Sequence, residues 1–202
     1  MKEILVLVCL LSLALRDADG SCWHRTPGGP APPTGTPPTP TTPAPSRGPK
    51  KIPLYRYWNP HWVDHLYTTN FGELAGRKGQ HGFRYEGIQG YLYKKRVRGS
   101  VPLYRYWRPR GRDHFYTTNP NEIGTTVPGR TGKYGYTSEG HVGFCMPRKV
   151  PGTVPLYRYW KAHRADHFYT INIREIGTAT PGRVGKYGYK SEGITCFVFT
   201  RP

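Results

Sequence analysis

Three Asp-His dipeptides recur at matching places along the chain. They are Asp64-His65, Asp113-His114 and Asp166-His167. A carboxylate beside an imidazole can orient a general base, and three imidazoles that converge on one axis could bind zinc. No Ser or Cys nucleophile recurs near these pairs, and Thr68 and Thr69 fall within the same predicted strand. We therefore expect no enzymatic activity, no metal centre and no cofactor.

The same segments carry groups that could bind a sugar. A sugar site needs an aromatic face and a few polar groups held in fixed directions. Weak sites of this kind, repeated three times, could combine by avidity on a clustered glycan. The Tyr and Trp side chains of the preceding Leu-Tyr-Arg-Tyr-Trp run are expected to fill the interior instead. The candidate ligand-binding residues are Asp64, His65, Asn70, Asp113, His114, Asn119, Asp166, His167 and Asn172.

Acidic residues follow a strict pattern in a basic chain. The 202 residues include 30 Lys and Arg and 12 Asp and Glu, a formal net charge of +18. Beyond residue 20 every acidic residue occupies one of three repeated positions. An acid present in every copy has a fixed partner or a ligand, and an ion pair to a repeated arginine is the structural alternative. The positions are Asp64, Asp113 and Asp166; Glu73, Glu122 and Glu175; and Glu86, Glu139 and Glu192.

Basic residues are spread more freely, with one concentration near the join of the first two repeats. Such a patch would attract sulfated glycans or other anionic surface polymers, and the alternative is a solvated, soluble surface. A secreted protein is not expected to have a specific nucleic-acid partner. The predicted basic patch comprises Lys94, Lys95, Arg96, Arg98, Arg108, Arg110 and Arg112.

The positions belong to three internal repeats, at about 52–100, 101–153 and 154–202. Each opens on Pro-Leu-Tyr-Arg-Tyr-Trp, and the first lacks four residues between Glu73 and Gly76. Each repeat holds four short runs with strand chemistry, which gives twelve predicted strands. Twelve strands in three repeats predict an all-β, threefold pseudo-symmetric, β-trefoil-like domain. A sandwich does not require three repeats, and three blades are too few for a propeller.

The N-terminal quarter has a different composition. Residues 1–20 resemble a signal peptide, whose apolar run is too short to span a bilayer, so we expect a secreted protein without a transmembrane segment. Residues 21–51 form a predicted disordered Pro/Thr-rich spacer, which is either O-glycosylated or an unmodified linker. The remaining cysteines, Cys22, Cys145 and Cys196, are odd in number. One internal disulfide is expected in an oxidising compartment, with the pairing open.

The run Leu-Tyr-Arg-Tyr-Trp, Asp-His-Phe-Tyr-Thr-Thr-Asn and Glu-Gly resembles an uncharacterised three-repeat family over roughly residues 52–200. Members of that family are secreted animal proteins and modules appended to bacterial cell-wall hydrolases. The resemblance implies a trefoil-like, non-catalytic, glycan-directed binding module. It supplies no established binding residues.

We therefore expect a secreted, multivalent, lectin-like protein. A basic protein that binds sulfated glycans or anionic microbial surfaces, and a structural mucus or matrix protein, are the alternatives. Binding to a neutral sugar should survive high salt, whereas binding through a basic patch should weaken with salt.

Overall fold

The computed structural model describes residues 48–202, so the predicted signal peptide, Cys22 and the spacer up to residue 47 lie outside the described residues. The described part is all-β, as predicted, and its helical segments are 3₁₀ turns of three residues each. No helix in residues 48–202 has the length and hydrophobicity needed to cross a membrane. The strands are β1 Lys51–Asn59, β2 Asp64–Thr68, β3 Arg84–Tyr93, β4 Val101–Arg108, β5 Asp113–Thr117, β6 Thr137–Cys145, β7 Thr153–Lys161, β8 Asp166–Thr170 and β9 Lys190–Phe199.

Each repeat contributes three strands, so the prediction of four strands per repeat is wrong. The first strand of each repeat pairs antiparallel with both the second and the third, for example β1 with β2 and with β3. The third and fourth predicted runs are one continuous strand. This strand continues through the Glu-Gly positions because β-bulges there bend the strand without ending it.

One of these bulges repositions a glutamate. Arg56 pairs with Gly87 and Tyr57 with Tyr85, so Glu86 is the extra residue. Glu192 is the extra residue in the same place in the third repeat. A bulge turns the side chain of the extra residue away from the regular alternation of the strand. At the repeated Glu-Gly dipeptides the glutamate side chain therefore departs from the regular alternation of the strand.

The nine strands form one open sheet whose main path runs β5-β4-β6-β3-β9-β7-β8, with β1 and β2 joined to β3. The three long strands β3, β6 and β9 meet near their C-terminal ends. Their bridging pairs are Tyr93 with Phe144, Tyr91 with Phe199, and Met146 with Phe197. The repeats are thus held together mainly at the ends of these strands and by the side chains packed beneath them.

A ring of three tyrosines occupies the centre of the shared core. The hydroxyl of Tyr67 donates to the carbonyl of Tyr169, Tyr169 to that of Tyr116, and Tyr116 to that of Tyr67, at 2.6–2.7 Å. Each hydroxyl also accepts the backbone N–H of the same tyrosine to whose carbonyl it donates. Burial raises the pKa of all three phenols well above the usual value. Because every polar atom of the ring is paired within it, the ring places polar groups in an apolar core without leaving one unsatisfied.

A disulfide joins Cys145 on β6 to Cys196 on β9, with their Cα atoms 6.2 Å apart. This resolves the pairing that the sequence left open. The other two repeats place a glycine where the third repeat has Cys196. A Cβ added to Gly90 would lie 2.5 Å from a methyl of Val198, and one added to Gly143 would lie 3.0 Å from Leu92. The strands therefore approach closely at all three places, and one of the three contacts is covalent.

Candidate functional site

All nine repeated acidic residues have arginine or histidine partners, and most of those partners belong to a neighbouring repeat. The three aspartates are fully buried. Asp64 binds the Nδ1 of His114 at 2.7 Å, Asp113 that of His167 at 2.8 Å, and Asp166 that of His65 at 3.0 Å. Each aspartate also accepts the backbone N–H of the same histidine. The aspartate and the histidine of each dipeptide therefore bind side chains of neighbouring repeats and do not pair with each other.

The aspartates differ in their third partner. The hydroxyls of Tyr136 and Tyr189 donate to Asp113 and Asp166, whereas Phe83 occupies that place beside Asp64. Burial raises the pKa of Asp64, and its contacts with His114 do not offset this. Burial also raises the pKa of Asp113, but the attraction and hydrogen bonds of His167, together with the Tyr136 hydroxyl, outweigh it and lower the pKa overall.

The three aspartates also come close to one another, each offering an oxygen within 4.8 Å of the others. Carboxylates at this separation are a possible set of cation ligands. Their oxygens, however, already accept hydrogen bonds from histidine backbone, imidazole and, in two cases, tyrosine. A cation at this position would have to displace those bonds.

The six glutamates are held by three arginines. Arg56 Nη2 lies 3.0 Å from Glu175 of the third repeat, and its Nε lies 2.9 Å from Glu86 of its own repeat, the latter as an ion pair without hydrogen-bond geometry. Arg105 joins Glu73 to Glu139 and Arg158 joins Glu122 to Glu192 in the same way. Desolvation opposes the charge of each guanidinium, but the neighbouring phenol and the carboxylates outweigh it and raise the arginine pKa. The predicted pairing of glutamate with a repeated arginine is thus present in every repeat.

The glutamates remain partly open to solvent, at the boundary between two repeats. The Glu86 and Glu175 side chains are 30% and 32% exposed. They face a pocket of about 470 Å³ between the first and third repeats, which we call the seam pocket. Its lining is Arg56, Trp58, His65 and Glu86 from the first repeat and Lys161, Phe168, Glu175, Ile176, Tyr187 and Tyr189 from the third.

The hairpin of β1 and β2 positions the base of the seam pocket. Trp58 and His65 are direct cross-strand partners, and their rings lie 4.3 Å apart. The His65 ring is fixed on one side by Asp166, while its Nε2 lies 3.8 Å from Glu86. The same Trp–His contacts recur at Trp107–His114 and Trp160–His167.

Tyr187 forms the outer wall of the pocket and is 73% exposed. It has a φ of 58°, in the left-handed region, between two turn glycines. Tyr134 holds the same position in the second repeat, with a φ of 59° and 76% exposure. The equivalent His81 of the first repeat has a φ of 53°. All three repeats therefore hold this turn position in the left-handed region, and two of them place an exposed aromatic ring on it.

The three boundaries between repeats, which we call the seams, are not equivalent. Where the third repeat contributes Lys161 and Tyr187, the second contributes Arg108 and Tyr134, and the first contributes Asn59 and His81. The boundary between the second and first repeats also contains Trp62, whose ring lies 6.1 Å from Trp107 and 5.8 Å from Phe83. The second and third repeats have Gly111 and Arg164 in the place of Trp62. An indole therefore fills part of this seam.

The predicted site residues do not converge on one pocket. The aspartates are enclosed in the core, and only the histidines reach the base of a seam. The asparagines are exposed, and each accepts the backbone N–H two residues later, as an Asx turn does. These asparagines are Asn70, Asn119 and Asn172.

The expectation that the repeated tryptophans fill the interior is wrong. Trp58, Trp107 and Trp160 are half-buried, and Trp58 lines the seam pocket. The tyrosine before each tryptophan, by contrast, is buried. Successive strand residues point to opposite faces, and a hairpin turn at residues 60–63 pairs Trp58 with His65. That register was the available signal for the base of the pocket, whereas nothing local indicated Tyr187.

The predicted basic patch is two separate groups. Lys94, Lys95, Arg96 and Arg98 precede β4, and Arg108, Arg110 and Arg112 lie at its end or beyond it. The eight residues of β4 separate the two groups by about 25 Å. Closeness in sequence does not bring them together, because the extended strand between them carries the chain across the domain.

Comparisons with known proteins give one match. The family model described as "Domain of unknown function (DUF5648)" matches residues 39–129 and residues 126–199. No curated protein matches the chain, and no solved structure matches it.

Proposed function

We propose that this chain, which belongs to the family described as "Domain of unknown function (DUF5648)", is a secreted, non-catalytic, lectin-like module that binds carbohydrate between its repeats. The observation that carries the proposal is the seam pocket. This pocket presents the half-buried Trp58 and the exposed Tyr187 beside two carboxylates fixed by one arginine.

The polar groups of the seam pocket suit a sugar. A carboxylate fixed by a guanidinium keeps free lone pairs that can accept hydroxyl hydrogen bonds, and it loses little freedom when a ligand binds. The aromatic faces of Trp58 and Tyr187 can stack on the apolar face of a pyranose ring. Arg56 and Lys161 balance the charges of Glu86 and Glu175, so an uncharged, hydroxyl-rich ligand fits this pocket better than an ion.

The same groups support a binding role rather than catalysis. His65 has Asp166 on one ring nitrogen and Glu86 near the other. No Ser or Cys side chain lines the seam pocket of the described structure. A histidine constrained on both sides serves to fix the floor of the pocket, against which Trp58 packs.

The proposed architecture is a trefoil-like arrangement of three similar repeats. Its support is that each kind of contact recurs in all three: the tyrosine ring, the Asp–His pairs between repeats and the Arg–Glu pairs at the seams. Such an arrangement makes the protein multivalent, because each boundary between repeats holds a Trp–His pair and an Arg–Glu pair. The boundary between the first and second repeats differs in having His81 in place of the exposed tyrosine and Trp62 beside Trp107.

Secretion remains part of the proposal. The predicted signal peptide supports it, and the disulfide between Cys145 and Cys196 is typical of an oxidising compartment. The Pro/Thr-rich segment would then act as a spacer that presents the module, with O-glycosylation as a possible modification.

The test is a glycan array probed with the purified protein at about 0.05 M and about 0.5 M salt, followed by titration with the best neutral glycan. We expect binding that persists at the higher salt and is competed by the free sugar. Binding that collapses with salt and ignores neutral sugars would support the basic-surface alternative instead. No glycan signal at either salt would contradict the proposal and favour a structural matrix protein.

A matched pair of variants assigns the binding to the seam. Tyr187→Asn removes the ring, and Asn tolerates the left-handed backbone of that position. We expect a loss of about tenfold in affinity from the lost stacking. Val184→Asn changes an exposed apolar residue that lies, like Tyr187, in the connection between β8 and β9 but outside the pocket. This variant should leave affinity unchanged. Equal effects of the two variants would remove the seam from the proposal.

A further inference from the structure

The connections between repeats gather at one end of the molecule. The backbone N–H of Lys94 donates to the carbonyl of Lys50 at 3.0 Å, so the β3–β4 connection lies beside the start of β1. The N–H of Thr200 donates to the carbonyl of Gly152 at 3.1 Å, so the β6–β7 connection lies beside the end of β9. Met146 exchanges backbone hydrogen bonds with Phe197 and completes the cluster. We call the segments 48–51, 94–100, 146–152 and 200–202 the basic end.

The basic end carries nine cations and no aspartate or glutamate. All but Lys51 are exposed residues. Every acid of the described chain is instead paired with an arginine or histidine at the seams or in the core, so none of them neutralises this surface. The nine cations are Lys50, Lys51, Lys94, Lys95, Arg96, Arg98, Arg148, Lys149 and Arg201.

A groove of about 1190 Å³ crosses the basic end. Lys50, Lys51 and Arg201 lie along it, and Tyr93 and Phe199 contribute to its floor. The Lys51 ammonium lies 4.7 Å from the centre of the Phe199 ring, which also lies 4.7 Å from the Tyr93 ring. The floor is therefore packed and apolar, and its margins carry unneutralised positive charge.

We propose that this groove binds a linear sulfated polysaccharide. Closely spaced sulfates on a linear chain match a groove lined by Lys50, Lys51 and Arg201, with six more exposed cations on the other segments of the basic end. A nucleic acid fits less well, because single-strand binding requires aromatic rings open for stacking, whereas Phe199 is 7% exposed and packed on Tyr93. A membrane surface also fits less well, since the floor is concave and presents no exposed apolar wedge.

This site is distinct from the seam pocket. Trp58 follows Lys51 by seven residues of the same strand, a rise of about 23 Å. The proposed ligands of the two sites also differ. The carboxylates and cations of the seam pocket balance one another, whereas the cations of the basic end have no carboxylate side chain beside them. The two proposals can therefore succeed or fail independently, and each has its own variants.

The test measures binding of a heparin oligosaccharide by titration at physiological salt, with the fully desulfated oligosaccharide as a second probe. The triple variant Lys50→Gln, Lys94→Gln and Arg201→Gln removes three charges from the basic end. The control triple Lys78→Gln, Arg130→Gln and Arg183→Gln removes three exposed charges from other loops and changes the net charge equally.

We expect the first triple to weaken heparin binding by at least about tenfold and to flatten its dependence on salt, because fewer ions are released on binding. We expect the control triple to change affinity by less than about threefold, as for distant screened charges. Equal losses in both triples would overturn the site, because net charge alone would then explain the binding. Undiminished binding of the desulfated probe would overturn the ligand class. Tighter binding of single-stranded DNA or anionic vesicles through the same residues would also do so.

Discussion

Three buried tyrosines provide a test of how a deletion has altered one repeat. Tyr57, Tyr106 and Tyr159 hold the same position in the three repeats, and each is 0% exposed. The Tyr106 hydroxyl donates to the carbonyl of Thr125 at 2.8 Å, and that of Tyr159 to the carbonyl of Thr178 at 2.7 Å. The first repeat lacks four residues between Glu73 and Gly76, where the equivalent threonine would stand.

The Tyr57 hydroxyl is consequently buried without a hydrogen-bond partner among the described residues. A buried hydroxyl that has lost its partner costs about 1–3 kcal/mol, and a satisfied one contributes about 1 kcal/mol. Tyr57→Phe should therefore stabilise the protein by about 1 kcal/mol. Tyr106→Phe and Tyr159→Phe should each destabilise it by about 1 kcal/mol, since each also leaves a carbonyl unpaired. The same chemical change thus has opposite signs at equivalent positions.

Equilibrium unfolding in urea measures the difference. With a slope of about 2 kcal/mol/M, the midpoint should rise by about 0.5 M in Tyr57→Phe and fall by about 0.5 M in each of the other two variants. The slopes themselves should not change, because the three side chains are buried to the same extent. If Tyr57→Phe loses as much stability as Tyr106→Phe, the Tyr57 hydroxyl has a hydrogen-bond partner despite the four missing residues. An ordered water would be such a partner.

Two further predictions concern the contacts between repeats. Replacing Cys145 and Cys196 by serine should lower the free energy of unfolding by about 4 kcal/mol, the chain-entropy value for a closed loop of about 50 residues. Matching midpoints of the double variant and of the unmodified protein in denaturant would contradict this. Tyr136→Phe removes a hydroxyl that helps to lower the pKa of Asp113. Stability gained from a lowered carboxyl pKa is present above the unfolded value near pH 4 and is lost as the pH falls through the folded value. Acid unfolding of Tyr136→Phe should therefore begin at a higher pH, and an unchanged onset would refute the role of the hydroxyl. Phe83→Tyr, which supplies the missing hydroxyl to Asp64, should shift the onset in the opposite direction.

Much of the fold could be predicted from the repeats. Tyr, Thr and Val runs bounded by glycine indicated an all-β domain, and the pairing of glutamates with the repeated arginines followed from their shared recurrence. The strand count was wrong because a glycine-containing bulge and a turn look alike in sequence. Gly87 and Gly140 sit inside continuous strands, and only the neighbouring strand, by pairing on both sides of the glycine, keeps the chain extended there.

The candidate site was predicted less well. His65 was identified, but the partner of its Nδ1 is Asp166, 101 residues away, and not the adjacent Asp64. Asp64 points into the core because successive strand residues face opposite sides. Tyr187 could not be identified from the sequence. Its place in the seam pocket depends on a left-handed backbone conformation and on the opposite wall of the pocket, which the first repeat supplies.

The amino-acid sequence alone indicates the class of the fold, the repeat boundaries and the restriction of acids beyond residue 20 to nine positions. These features are local or periodic, so they can be read from spacing and residue type. Only the folded chain reveals which residues meet across the seams, that β4 divides the predicted basic patch, and that the loops between repeats form one basic end. Those outcomes depend on how the strands of different repeats pair, about 50 residues apart in the chain, and no local pattern encodes that geometry.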